Sequence, residues 1–118
     1  MNKEKVREYF LSKTGAIEDT PFNIPVPVFK VGNKMFGLLN IHESDRRSIN
    51  VKYPKDKIHE LRSIFKEIKP GYHMNKDNWN TVYLDGDLEE DLIKELIDIS
   101  YDLVFNSLPK KEQKALNK

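Results

Sequence analysis

Val28-Phe29-Lys30-Val31-Gly32-Asn33-Lys34-Met35-Phe36-Gly37-Leu38-Leu39-Asn40-Ile41 reads as two strands joined by a turn of two residues. Prolines 21, 25 and 27 lie just upstream, where they break any helix and suit extended backbone at a sheet edge. Gly32-Asn33 fits a tight hairpin of the kind that needs Gly at its first central position. After a polar loop, His42-Glu43-Ser44-Asp45-Arg46-Arg47, a third strand alternates Ile49, Val51 and Tyr53 against Asn50 and Lys52. Such alternation gives one face to a core and one to water.

Working outward, Val6, Tyr9 and Phe10 stand at i, i+3 and i+4, with Asn2 as a cap and Gly15 beyond the end, which predicts a short amphipathic helix. On the other side, Pro54 suits the first position of a second helix with Ile58, Leu61, Ile64, Phe65 and Ile68 at helical spacing, ended by Lys69-Pro70-Gly71. Trp79 to Leu84 reads as a strand closed by an Asp85-Gly86 turn. Asp87 and Glu90 resemble a capping box opening the longest helix. That helix carries Leu92, Leu96, Ile99 and Leu103, flanked by Ile93, Ile97 and Val104, a stripe wide enough to require a sheet or helix beneath it. Leu108-Pro109 ends it, and Lys110 to Lys114 adds a frayed polar turn. The expected class is α+β, an antiparallel sheet covered on one face by the N- and C-terminal helices. With no repeat or linker, residues 1–118 are expected to form a single domain.

The chain has 118 residues, 38% hydrophobic and 10% aromatic, enough for one core without crosslinks. The absence of Cys removes disulfides, thiol catalysis and cysteine-based metal sites, and fits a cytoplasmic setting. No apolar run approaches the roughly 20 residues that span a bilayer. The mixed-charge start, Met1-Asn2-Lys3-Glu4-Lys5, lacks the apolar core of a secretory signal. Twenty basic and 19 acidic residues leave a formal charge of +1, but the neutrality is a cancellation. Residues 1–84 hold 15 basic against 10 acidic, residues 85–102 one against eight, and residues 103–118 four against one. A local basic surface is therefore compatible with a neutral total. The plainer reading places the acidic residues at a helix N-terminus, where the macrodipole favours them.

The segment Lys69-Pro70-Gly71-Tyr72-His73-Met74-Asn75-Lys76-Asp77-Asn78-Trp79-Asn80 gathers the single Trp, a His, three Asn and two Lys around a Pro-Gly break. Trp and Tyr offer stacking faces, Lys a phosphate contact, and Asn a paired donor and acceptor. Each has a structural alternative: Trp79 as core, Asn75 and Asn80 as braces of irregular backbone, His73 as a hydrogen-bonded structural histidine. Lys76 is expected to face water.

Gly71-Tyr72-His73-Met74-Asn75-Lys76 with Trp79-Asn80-Thr81-Val82, then Ser100-Tyr101-Asp102-Leu103-Val104 and Ser107-Leu108-Pro109-Lys110-Lys111, resembles the MmcQ/YjbR family of small bacterial proteins. The Val28–Phe36 stretch matches that family's hairpin, so the resemblance covers nearly the whole chain. It implies a CyaY-like α+β fold and, by the usual description of members, DNA binding through a double-wing arrangement. Members often carry His immediately before the Trp, where this chain has Asn78. The motif positions carried over are Tyr72, His73, Asn75, Lys76, Trp79 and Asn80.

The expected function is DNA binding without catalysis or cofactor, by a monomer or weak dimer with no membrane association. Arg46, Arg47, Lys52, Lys69, Lys76, Lys110 and Lys111 would contact phosphate, with Tyr72 or Trp79 available for stacking. The alternative is a protein or small-ligand interaction module with a pocket at the same motif. Metal binding by Asp85, Asp87, Glu89, Glu90 and Asp91 fits poorly: the cluster fails the calcium-loop pattern, and the acidic ridge of frataxin-like proteins belongs to the first helix. An enzyme is less favoured still, since there is no Gly-rich phosphate loop, nucleophile elbow or i, i+4 His pair.

Overall fold

A computed structural model describes residues 1–20, 26–40, 47–71 and 74–117. The elements are α1 (Lys3–Leu11), β1 (Ile17–Asp19), β2 (Val28–Val31), β3 (Lys34–Asn40), β4 (Ser48–Lys52), α2 (Ile58–Ile64), β5 (Ile68–Pro70), β6 (Trp79–Tyr83), α3 (Glu90–Ser107) and α4 (Lys110–Leu116). Six antiparallel strands form one sheet in the order β1-β2-β3-β4-β6-β5. The α+β class read from the sequence is the observed one. No helix among the described residues is long and apolar enough to cross a membrane.

Several local readings need correction. The β2–β3 turn has positive φ at both Gly32 (57°) and Asn33 (67°), the geometry of a type I′ turn rather than one demanding Gly only at its first position. Asn tolerates the left-handed region, so the sequence satisfies the stricter requirement. Pro54 does not begin α2: its carbonyl accepts from Lys57 N–H in a turn, and the helix starts at Ile58. Ile68 leaves the helical series to head β5, whose Pro70 is tolerated because β5 pairs with β6 alone. The Asp87–Glu90 capping box is absent. Glu89 is the N-cap without a side-chain bond, and Asp87 N–H donates to Glu67 Oε2 at 3.1 Å. The polar turn after Pro109 is the regular helix α4, tied back by Gln113 Nε2 to Leu108 O at 2.8 Å.

One hydrophobic cluster joins Val6 and Phe10 of α1, the inward residues of the central strands, Leu61 of α2 and Ile93, Leu96, Ile97, Tyr101 and Val104 of α3. Its geometry turns on an irregularity. Phe29 pairs with Gly37 and Lys30 with Met35, so Phe36 has no partner on β2, the count of a β-bulge. The extra residue turns Phe36 into the core, where its ring meets Phe10 at 5.7 Å and Tyr101 edge-on at 5.3 Å. Phe10 stacks on Phe29 at 4.3 Å and lies over Gly37, whose missing side chain leaves the space the ring fills. Just past the last β3–β4 pair, Gly37 with Val51, Ser100 Oγ of α3 donates to Phe36 O at 2.6 Å and accepts from Lys52 N–H at 2.8 Å. No described buried side-chain polar atom is left without a partner.

A second tie joins the two long helices. Tyr9 Oη donates to Asp98 Oδ1 at 2.6 Å, Lys13 Nζ reaches the same oxygen at 2.6 Å, and Lys13 lies over the rings of Tyr9 and Tyr101. Burial, then the bond to Asp98 and its charge, push the Tyr9 phenol up to about 12.

Two outcomes follow from this packing. Gly37→Ala drives a Cβ into the Phe10 ring, which is stacked and cannot retreat, and should destabilise by about 2–3 kcal/mol in urea unfolding. A loss under about 0.5 kcal/mol would mean that the ring moves freely. Because the folded phenol of Tyr9 is raised above its unfolded value of 10.0, its contribution is complete below that pH and lost as pH rises through about 12. Tyr9→Phe should therefore flatten the alkaline fall in stability between those two values.

Candidate nucleic-acid interface

Alternation along the strands assigns each residue to one of two sheet faces. Ile49, Val51, Ile68 and Val82 belong to the helix-side core. Their neighbours Ser48, Asn50, Lys52, Lys69, Trp79, Thr81 and Tyr83 accordingly occupy the helix-free face. Register places Lys52 opposite Trp79, Asn50 opposite Thr81, and Lys69 opposite Thr81 from the other side. Thr81 Oγ1 donates to the Asn50 side chain at 2.7 Å, and Asn40 Nδ2 to Ser48 Oγ at 2.8 Å. The face thus has a floor of buried, mutually bonded polar groups with lysines at one end and one edge.

Trp79 is 9% exposed and stands outside the main core cluster, so it is neither a helix-side core residue nor an open stacking platform. Asn80, 1% exposed, points the opposite way, toward α2. Asn75 braces its loop: its side chain accepts from Asp77 N–H at 2.9 Å, and its carbonyl from Asn78 and Trp79 N–H. Lys76 is exposed. Arg47 is exposed just before β4, where its carbonyl accepts from Leu84 N–H. Lys110 and Lys111 open α4 beside Leu108, which packs against Gly32 at the β2–β3 turn, away from β5 and β6. Arg46, Tyr72 and His73 lie outside the described residues, as does most of the His42–Arg47 loop. The structure therefore brings Lys52, Lys69, Trp79 and the 74–78 loop together and leaves Lys110 and Lys111 apart.

The residue that organises this region is one that sequence reading passed over. Arg62 of α2 donates from Nε to Asn80 Oδ1 at 2.7 Å, and from its second terminal nitrogen to Trp79 O at 3.0 Å and Lys76 O at 2.5 Å. A planar fork can satisfy three acceptors in one plane, which an ammonium cannot. Partial burial pulls the Arg62 pKa below its ordinary value, and the charge of Asp77 opposes that fall. A signal was present: Arg62 stands four residues after Ile58 and next to Leu61, a cation on the apolar side of a short helix.

A cavity of about 290 Å³ opens elsewhere, between α1 and the start of α3. It is lined by Met1, Lys5, Glu8, Tyr9, Ser12, Glu90 and Lys94 and shares no residue with the 71–80 motif. Among the described residues no group of three or more acidic, His or Cys side chains is placed to hold a metal ion.

An antiparallel sheet with its core helices on one side and a braced loop next to its last two strands defines a class of small α+β domain. The chain belongs to the YjbR family, whose model matches residues 11–103. It is 40% identical over 99 residues to the uncharacterised protein YbdF of Escherichia coli O157:H7, covering 81% of this chain and 78% of that one. It is 30% identical over 116 residues to the uncharacterised protein YjbR of Escherichia coli K12, covering 98% of both. Among solved structures it is similar to protein DR2400 of Deinococcus radiodurans, with a TM-score of 0.88 at 33% identity over 97% of this chain and 86% of that one. A Pseudomonas syringae protein matches with a TM-score of 0.73 at 29% identity, over 88% of this chain and 99% of that one.

Arg62→Ala should cost about 2–3 kcal/mol of stability, the scale for losing charge-assisted bonds to part-buried acceptors. Hydrogen exchange at the amides of Asp77, Asn78 and Trp79 should rise more than in β3. Arg62→Lys should recover little. Uniform loosening of the whole sheet would mean that Arg62 does not brace the loop in particular.

Proposed function

We propose that the protein binds DNA, without catalysis, through the helix-free face of β4, β6 and β5 and the adjoining 74–78 loop. The observation that carries this reading is the position of Lys52 and Lys69 on that face, while the acidic block of residues 85–102 runs into α3 on the other side of the sheet. No described residue forms an ion pair with either lysine, so both ammonium groups are available to phosphate. Lys76 extends the surface onto the loop, and Arg47 lies at its far margin, about 17 Å along β4 from Lys52 by strand rise. Trp79, Asn75 and Asn80 take structural roles, and Lys110 and Lys111 fall outside the surface. With a formal charge of +1, the protein has no strong overall field to steer DNA from a distance. Contact is local, and affinity is modest and salt-sensitive. The description of family members as DNA-binding agrees with this reading. The interaction-module alternative calls for a pocket at the motif, and the cavity between α1 and α3 does not supply it.

The test compares two charge reversals by fluorescence anisotropy on a labelled duplex at low salt. The double variant Lys52→Glu, Lys69→Glu should weaken binding by roughly tenfold or more, since two phosphate contacts are lost and two repulsions gained. Lys110→Glu with Lys111→Glu should stay within about twofold of the parent, because neither side chain reaches the surface. The reverse ranking would refute the assignment of the face.

A further inference from the structure

The polar side chains of this face are already committed to one another, and this bears on what the surface can read. Base-edge recognition needs amides, guanidinium groups or hydroxyls free to pair with groove atoms, whereas backbone recognition needs only positive charge. Asn50 and Thr81 are bonded together and buried, Asn40 holds Ser48, Asn75 holds its own loop, and Asn80 turns inward to Arg62. Arg62 spends its donors on Asn80, Trp79 and Lys76. Trp79, at 9% exposure, presents little ring for a base to stack on. What projects from the strands of this face is Lys52 and Lys69; on the loop Lys76, its ammonium 3.5 Å from Gly71 O, stands beside the exposed Asp77, and Arg47 lies exposed at the far margin.

Building on the DNA-binding reading, we infer that this face recognises the phosphodiester backbone of duplex DNA without regard to base sequence. Lys52 and Lys69 are separated by two strand spacings and two residues along β6. With about 4.8 Å between strands and about 3.3 Å of rise per residue, their Cα atoms stand roughly 12 Å apart. The two ammonium groups therefore meet different phosphates, and Lys76 on the loop supplies a third contact. Three neutralised phosphates correspond to a slope of about −2.7 in log affinity against log salt.

The experiment uses the full chain and a panel of labelled 20-base-pair duplexes: A·T-rich, G·C-rich and two unrelated mixed sequences, with one single strand of mixed sequence. Anisotropy titrations over a range of salt should give affinities within about threefold across the duplexes and a slope near −2.7. Lys52→Ala with Lys69→Ala should reduce the magnitude of that slope by about two for every duplex. Emission from Trp79, the single Trp, should not shift on binding, because no base replaces its surroundings. Asn78→Ala belongs in the panel because the half-buried Asn78 side chain makes no hydrogen bond with another described residue, and it should leave the ranking of sequences unchanged. A spread above tenfold among the duplexes, or a single strand bound tenfold more tightly with a shift in Trp79 emission, would overturn backbone-only recognition and leave DNA binding standing. Failure of every oligonucleotide to bind at low salt would overturn both.

Discussion

The ring of Phe10 lying over Gly37 is the contact on which the rest of the arrangement depends. It brings α1 close to the centre of the sheet, stacks on Phe29 and meets Phe36, which the bulge has turned into the same layer. Phe36 then carries the aromatic chain to Tyr101 and α3. A side chain at position 37 would lift α1 away from the strands, and a regular strand at position 36 would send that ring to the helix-free face. Close packing allows neither change cheaply, because a core at crystal-like density has nowhere to put the displaced atoms. Both helices therefore collect on one face, and on the opposite face the polar residues of β4 and β6 sit beside Trp79, Leu38 and Val28.

On that opposite face the structure solves a different problem. A strand buried on both sides ordinarily carries apolar residues in both registers, yet β4 and β6 bury Ser48, Asn50 and Thr81. Burial of such groups is costly unless they are hydrogen-bonded, and here they bond across the strands. The same saturation that makes the face stable removes its capacity to read bases. Arg62 does for the loop what these pairs do for the strands. Its guanidinium ties Lys76, Trp79 and Asn80 to α2.

The charge segments take on meaning only through this layering. The acidic residues at 85–102 flank and enter α3, where Glu90 and Asp91 occupy the first turn in accord with the helix dipole. The plain explanation of their position is thus sufficient, and its consequence is spatial: the negative charge is held on the helix side of the sheet, away from Lys52 and Lys69.

The residue pattern by itself determined the class of the fold, the hairpin of β2 and β3, which residues of β4 share a face, and the span of α3, because periodicity and turn chemistry are local properties of the chain. It also pointed to the 71–80 motif. The expectation that the second face of β4 meets water was wrong, since Ser48 and Asn50 are buried there. Tertiary structure alone decided what those residues do. β1 and β5 are too short to show a pattern, and Ile68 continues a helical spacing until pairing with β6 claims it. Phe36 and Gly37 look like ordinary members of an alternating strand until the bulge turns both toward the core. Asn80 and Trp79 are neighbours on one strand, but the pleat sends the first to Arg62 and the second to the lysine face. Which side of a sheet a residue occupies depends on register and on what packs there, and neither is encoded in the identity of the residue itself.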